Sequence, residues 1–163
     1  MRKIFIIISL ILTGIYSFSQ ENKKWIPSVK VGAGTWLDIS SLIHTEIGGQ
    51  VEYKSSDIFS LIGNVDFGVN FGTNSTATEF NQLSLSAGPR FYIQNKIFVG
   101  AAFGYLQSFY NTYTNYSSGY FLLHSYAGYN TRKFQYSVEF KVNTSAGEVQ
   151  SYILLSAAFK FGK

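Results

Sequence analysis

Proton transfer near neutral pH needs an imidazole, a thiol or a displaced carboxylate, and this sequence holds two histidines, His44 and His124, and no cysteine. Ser125 follows His124, and if Tyr129 pairs with Phe134 across a turn, Glu139 lies opposite His124 with Lys141 nearby. Serine, histidine and carboxylate together suggest hydrolysis, which requires the serine oxygen within hydrogen-bond reach of the imidazole. Adjacent residues of a strand point to opposite faces, so Ser125 turns away from His124. The next residue on the histidine's own face is Tyr126. The nucleophile is missing, and no catalytic residue is assigned. His44 is expected in a solvated loop, with Glu46 two residues on and no third ligand converging. No metal site and no cofactor are expected.

The residues around His124 belong to an alternating stretch, KFQYSVEFKVN, from Lys133 to Asn143. Phe134, Tyr136, Val138, Phe140 and Val142 share one face; Gln135, Ser137, Glu139, Lys141 and Asn143 share the other. A period of two is a strand with one apolar and one polar side. Eight such segments are expected near 27–37, 46–54, 58–71, 80–93, 97–109, 119–130, 133–143 and 149–161. Tight turns at Ser55-Ser56-Asp57, Gln94-Asn95-Lys96 and Thr131-Arg132 alternate with longer polar links such as 72–79 and 110–118. This predicts an all-β, antiparallel, up-and-down arrangement with both termini at the short-turn end. Eleven residues at about 3.3 Å each, tilted by about 40°, rise roughly 28 Å, close to the apolar band of a transmembrane barrel.

Composition supports export to a membrane. Residues 1–19 combine a basic start, the apolar run IFIIISLIL and a small-x-small end, which reads as a secretory signal peptide, leaving a barrel domain over 20–163. Charged residues make up 13% of the chain, against about 25% in soluble proteins. Without Arg2 and Lys3 the chain has 11 basic and 9 acidic residues, which gives no reason to expect a nucleic-acid partner.

Two closed barrels share this pattern, and they differ in which face is wet. A soluble lipocalin-like barrel holds a small apolar ligand inside, and Gly34-Thr35-Trp36 matches the G-x-W of that group. A membrane barrel turns its apolar face to lipid. The apolar face carries aromatics near both strand ends: Tyr53, Phe91, Tyr129, Phe134, Phe159 and Phe161 at one, Phe71, Phe121 and Phe140 towards the other. Such girdles mark membrane–water boundaries. The polar face is mostly Ser, Gly, Asn and Gln, with too few charges for a soluble exterior.

The last strand, YILLSAAFKFGK, resembles the terminal strand by which outer-membrane barrels are recognised for insertion. With the signal peptide and eight strands, the chain resembles the small outer-membrane β-barrel family that includes OmpX and the transmembrane part of OmpA. The resemblance implies an eight-stranded antiparallel up-and-down transmembrane β-barrel in the cell outer membrane. Its implied partners are outer-membrane lipid and, through the terminal strand, the barrel-insertion machinery. A monomer is expected. Some barrels of this size modify lipid A, but the missing nucleophile argues against enzyme activity here.

On this reading the charged residues point inward. Lys30, Glu52, Asp66, Arg90, His124, Glu139 and Lys141 form an interior polar cluster whose members neutralise one another. The functional alternative is a polar conduit or proton-sensitive site. A hairpin centred on Ser41 sets Lys30 opposite Glu52 and Trp36 opposite Glu46. Gly48, Gly100 and Gly104 are expected to make room inside, and Pro89 to disturb strand 4 locally. The Tyr-, Asn- and Thr-rich loop from Asn111 to Ser117 is either an aromatic collar or a contact surface for an extracellular ligand.

Overall fold

A computed structural model describes residues 25–38, 42–72, 80–110, 117–145 and 148–161. Its strands are β1 (Trp25–Trp36), β2 (Leu42–Lys54), β3 (Phe59–Gly72), β4 (Phe80–Ile93), β5 (Ile97–Tyr110), β6 (Ser117–Asn130), β7 (Phe134–Ser145) and β8 (Glu148–Lys160). Each pairs antiparallel with the next, and β1 pairs with β8, so the sheet closes on itself. Closure satisfies the edge hydrogen bonds that an open sheet would leave bare. The proposed cut site, residues 1–24, and Gly162-Lys163 lie outside the described residues.

Local chemistry closes the short turns. Gln94 and Asn95 take positive φ angles, 51° and 58°, and the Lys96 amide donates to the Ile93 carbonyl at 3.1 Å. Left-handed turn geometry follows the natural twist of a hairpin. Thr131 closes the next turn: its hydroxyl accepts from the Phe134 amide at 2.9 Å. At the first turn, the Ser56 hydroxyl accepts from the Phe59 amide at 3.1 Å.

Two expected registers are corrected. β2 starts at Leu42, not near 46, so Lys30 pairs with Gly48 rather than Glu52, and Gly32, not Trp36, pairs with Glu46. Likewise Tyr129 pairs with Tyr136 rather than Phe134, because the Thr131 turn is longer than two residues. His124 therefore pairs with Lys141, and Tyr126 with Glu139. Both errors are even-numbered, so every side chain stays on its expected face.

The wall is apolar outside and charged inside. Val31, Ile47, Val65, Leu85, Phe103, Phe121, Val138 and Leu155 are exposed, while Lys30, Glu46, Glu52, Asp66, Arg90, Glu139 and Lys141 are buried. Aromatics ring the short-turn end: Trp25 packs on Tyr53 with centroids 4.8 Å apart, Phe59 on Phe91 at 5.3 Å and Phe134 on Phe159 at 5.3 Å. Two interior glycines make space for polar side chains. A Cβ on Gly48 would strike the Asp66 carboxylate, and one on Gly68 would strike the His44 ring.

Candidate functional site

The interior polar cluster assembles from strands far apart in the sequence. Lys30, inward on β1, extends its ammonium to Glu46 Oε1 at 2.9 Å, Glu139 Oε2 at 3.0 Å and Asp66 Oδ2 at 3.2 Å. Lys141, on β7, reaches Glu46 Oε2 at 2.7 Å and Asp66 Oδ2 at 3.2 Å. Two ammonium groups thus sit among three carboxylates, all of them buried. Burial of this kind is tolerable only because each charge meets opposite charges at contact distance.

The second group lies nearer the short turns. Arg90 donates to Glu52 Oε2 at 3.3 Å, to Gln135 Oε1 at 3.0 Å and to Gln50 Oε1 at 3.4 Å. Tyr92 donates its hydroxyl proton to Glu52 Oε1 at 2.5 Å. The guanidinium also lies over the rings of Phe98 and Tyr126, 4.4 and 5.1 Å from their centroids. Glu52 therefore pairs with Arg90, not with Lys30. The expected cluster is in fact two ionic groups at different heights.

His124 retains its expected partner by a diagonal contact. Its Nε2 is 2.9 Å from Glu139 Oε2, a close polar contact without hydrogen-bond alignment. The other Glu139 oxygen accepts from Ser156 and, at 3.1 Å, from Ser137. The carboxylate stands between serine and imidazole, the reverse of the order in which histidine activates a serine. Ser125 is half-exposed on the outer face, as its position on the strand requires. Among the described residues, no serine hydroxyl is hydrogen-bonded to His124.

His44 is not in a loop, contrary to expectation. It is a strand residue, buried within β2, with Nδ1 2.8 Å from Asn70 Oδ1 and Nε2 3.4 Å from Glu46 Oε2. Trp36 donates to the same Asn70 oxygen at 2.6 Å, and Tyr152 packs on both rings at 4.7 Å. The missed signal was the run Leu42, His44, Glu46, which continues the inward period of β2. Among the described residues, no group of three or more His, Cys, Asp or Glu is placed to hold a metal ion. The tip of the fifth link, residues 111–116, lies outside the described residues.

No family model matches the chain, and no curated protein matches it by sequence. Solved structures do. Ail, the attachment invasion locus protein of Yersinia pestis, in complex with the heparin analogue sucrose octasulfate, is 15% identical over 85% of this chain and 99% of its own, with a TM-score of 0.59. The N-terminal β-barrel domain of Pseudomonas aeruginosa OprF is 14% identical over 83% of this chain and 97% of its own, with a TM-score of 0.56. A de novo designed transmembrane β-barrel is 19% identical over 83% and 94%, with a TM-score of 0.54. The chain has the fold of the small eight-stranded outer-membrane β-barrels. A designed barrel among these matches shows how little that fold says about activity.

Proposed function

We propose that this protein is a non-enzymatic, integral outer-membrane β-barrel, exported with loss of residues 1–19 and inserted through its terminal strand. Its role is structural or surface-interacting, with the lumen closed by side chains. The observation that carries the reading is the inverted wall: Leu155 is 70% exposed on the outside while Lys141 is 0% exposed within. A bilayer accepts that arrangement and water does not. A carrier of an apolar ligand needs the opposite polarity, with the greasy face inward. Neither lumen-facing histidine meets a described serine, His44 facing Asn70 and Glu46 and His124 facing Glu139, which argues against a lipid-modifying enzyme.

Sucrose octasulfate binding is a property of Ail and finds no support here. A polysulfate needs cationic side chains, and segments 37–41, 73–79, 111–116 and 146–147 contain no Lys or Arg. The loop from Asn111 to Ser117 instead offers Tyr, Asn and Thr for neutral or polar partners.

Spin labels at Val138 and Leu155, read against a label at exposed Lys96, test the membrane reading. In reconstituted vesicles the first two should be relaxed by oxygen and shielded from a water-soluble nickel chelate. Chelate access equal to that at Lys96 would refute it.

A further inference from the structure

The solvent-reachable cations of the described barrel are confined to one end. Half-buried Lys54 closes β2, Lys96 stands in the second short turn, and Arg132 and Lys133 form the third. Each lies just beyond the aromatic girdle: Lys54 follows Tyr53, Lys96 precedes Ile97, the partner of Tyr129, and Lys133 precedes Phe134. The described acid at this rim is Asp57, 3.4 Å from Lys54. Lys160 at the same end is buried and braced by Asn130 and the Thr131 carbonyl, so it is not part of this outer set. The opposite links contain Asp38 and Glu79 and no basic residue.

We infer that the short-turn end is a collar for anionic phospholipid headgroups, a site that rests on the membrane reading above. Ammonium and guanidinium groups just beyond an aromatic belt lie at the level of lipid phosphates. Trp25, Tyr53, Phe91 and Phe134 set the depth, and Lys96, Arg132 and Lys133 meet the phosphate oxygens. Lys54 stands apart from this contact, because its ammonium is bonded to Asn95 at 3.0 Å and lies over the buried, lumen-facing Tyr92 ring, 5.6 Å from its centroid. Guanidinium and ammonium groups both bind phosphate, Arg132 with the bidentate fork. With acids alone on the far links, the charge asymmetry also favours one orientation relative to an anionic leaflet.

Trp25 reports on this collar directly, because it lies on the outer wall at the same end and is 41% exposed. The full barrel is refolded into vesicles whose acyl chains carry bromine on either phosphatidylcholine or phosphatidylglycerol. Quenching of Trp25, corrected with a Trp25→Phe variant, measures which lipid occupies the collar. The expected preference for phosphatidylglycerol is on the order of fivefold, the worth of about one cation held at an anionic surface. It should vanish at about 1 M salt, where the Debye length is about 3 Å. It should also vanish in the variant Lys96→Gln, Arg132→Gln, Lys133→Gln. Equal quenching by the two lipids, or a preference that survives salt, overturns the collar and leaves the membrane reading standing. No quenching by either lipid removes both.

Discussion

Lys141 is the residue on which the central ionic group turns. Its ammonium holds Glu46 at 2.7 Å and Asp66 at 3.2 Å, and its side chain is wholly buried. Taking the cation away leaves three carboxylates facing Lys30 alone. Breaking a buried pair on one side costs about 3–5 kcal/mol, because the surviving charge has lost both water and partner. Lys141→Met is therefore expected to lower the stability of the refolded barrel by that much, measured by urea unfolding and tryptophan fluorescence in lipid vesicles. Adding Glu46→Gln should return part of the loss, since it removes one orphaned charge. A lipid-facing control such as Leu155→Met should move stability by less than about 0.5 kcal/mol. If Lys141→Met behaves like that control, the ionic contacts contribute nothing to holding the lumen closed.

The strands show a second kind of constraint at Pro89. β4 keeps one register with β5 on both sides of it, pairing Ala87 with Phe103 and Arg90 with Gly100, but Gly88 and Pro89 are skipped. On the β3 side Leu61 pairs with Pro89 without interruption. The missing amide proton therefore falls on the β5 side, a gap in the ladder rather than a bulge. Pro89→Val should supply the donor and raise stability by about 1 kcal/mol, with a newly protected amide in hydrogen exchange. If the amide introduced by Pro89→Val exchanges freely, the cause lies instead in the close approach of Gly88 to the Ala101 carbonyl.

Inside and outside were legible at this level, because period-two alternation in β7 and its neighbours assigns every side chain to a face. Lys30, Glu52, Asp66, Arg90, His124, Glu139 and Lys141 are all buried. Partners were not legible. Pairing depends on where β2 begins, and Leu42 to Thr45 read as loop because Ser40, Ser41 and His44 are polar. Contacts across the lumen, such as Lys30 with Glu139, depend on closure and tilt, which no local pattern encodes.

For the molecule as a whole, those cross-lumen contacts decide whether it can conduct. β7 neighbours only β6 and β8 in the sheet, yet its inward side chains reach the opposite wall. Glu139 meets Lys30 of β1 at 3.0 Å, and Lys141 meets Glu46 of β2 at 2.7 Å and Asp66 of β3 at 3.2 Å. Gln135 accepts from Arg90 of β4 and from Gln50 of β2, both at 3.0 Å. The lumen is thus crossed at two heights, with Trp36, Leu42, Phe80, Tyr152 and Leu154 packed together towards the long links. An ion would have to part charged pairs at both levels, and an eight-stranded barrel has no spare width around them. The wild-type barrel should therefore give no steady single-channel openings in a planar bilayer across about ±100 mV, a range in which each elementary charge gains only about 2.3 kcal/mol. Gln135→Ser with Lys141→Ser removes a crossing group at each level and should admit brief openings if the barrel remains folded, which heat-shifted gel migration reports. Steady openings of the wild type would mean that the crossings yield to ions, and the interior would have to be read as a conduit.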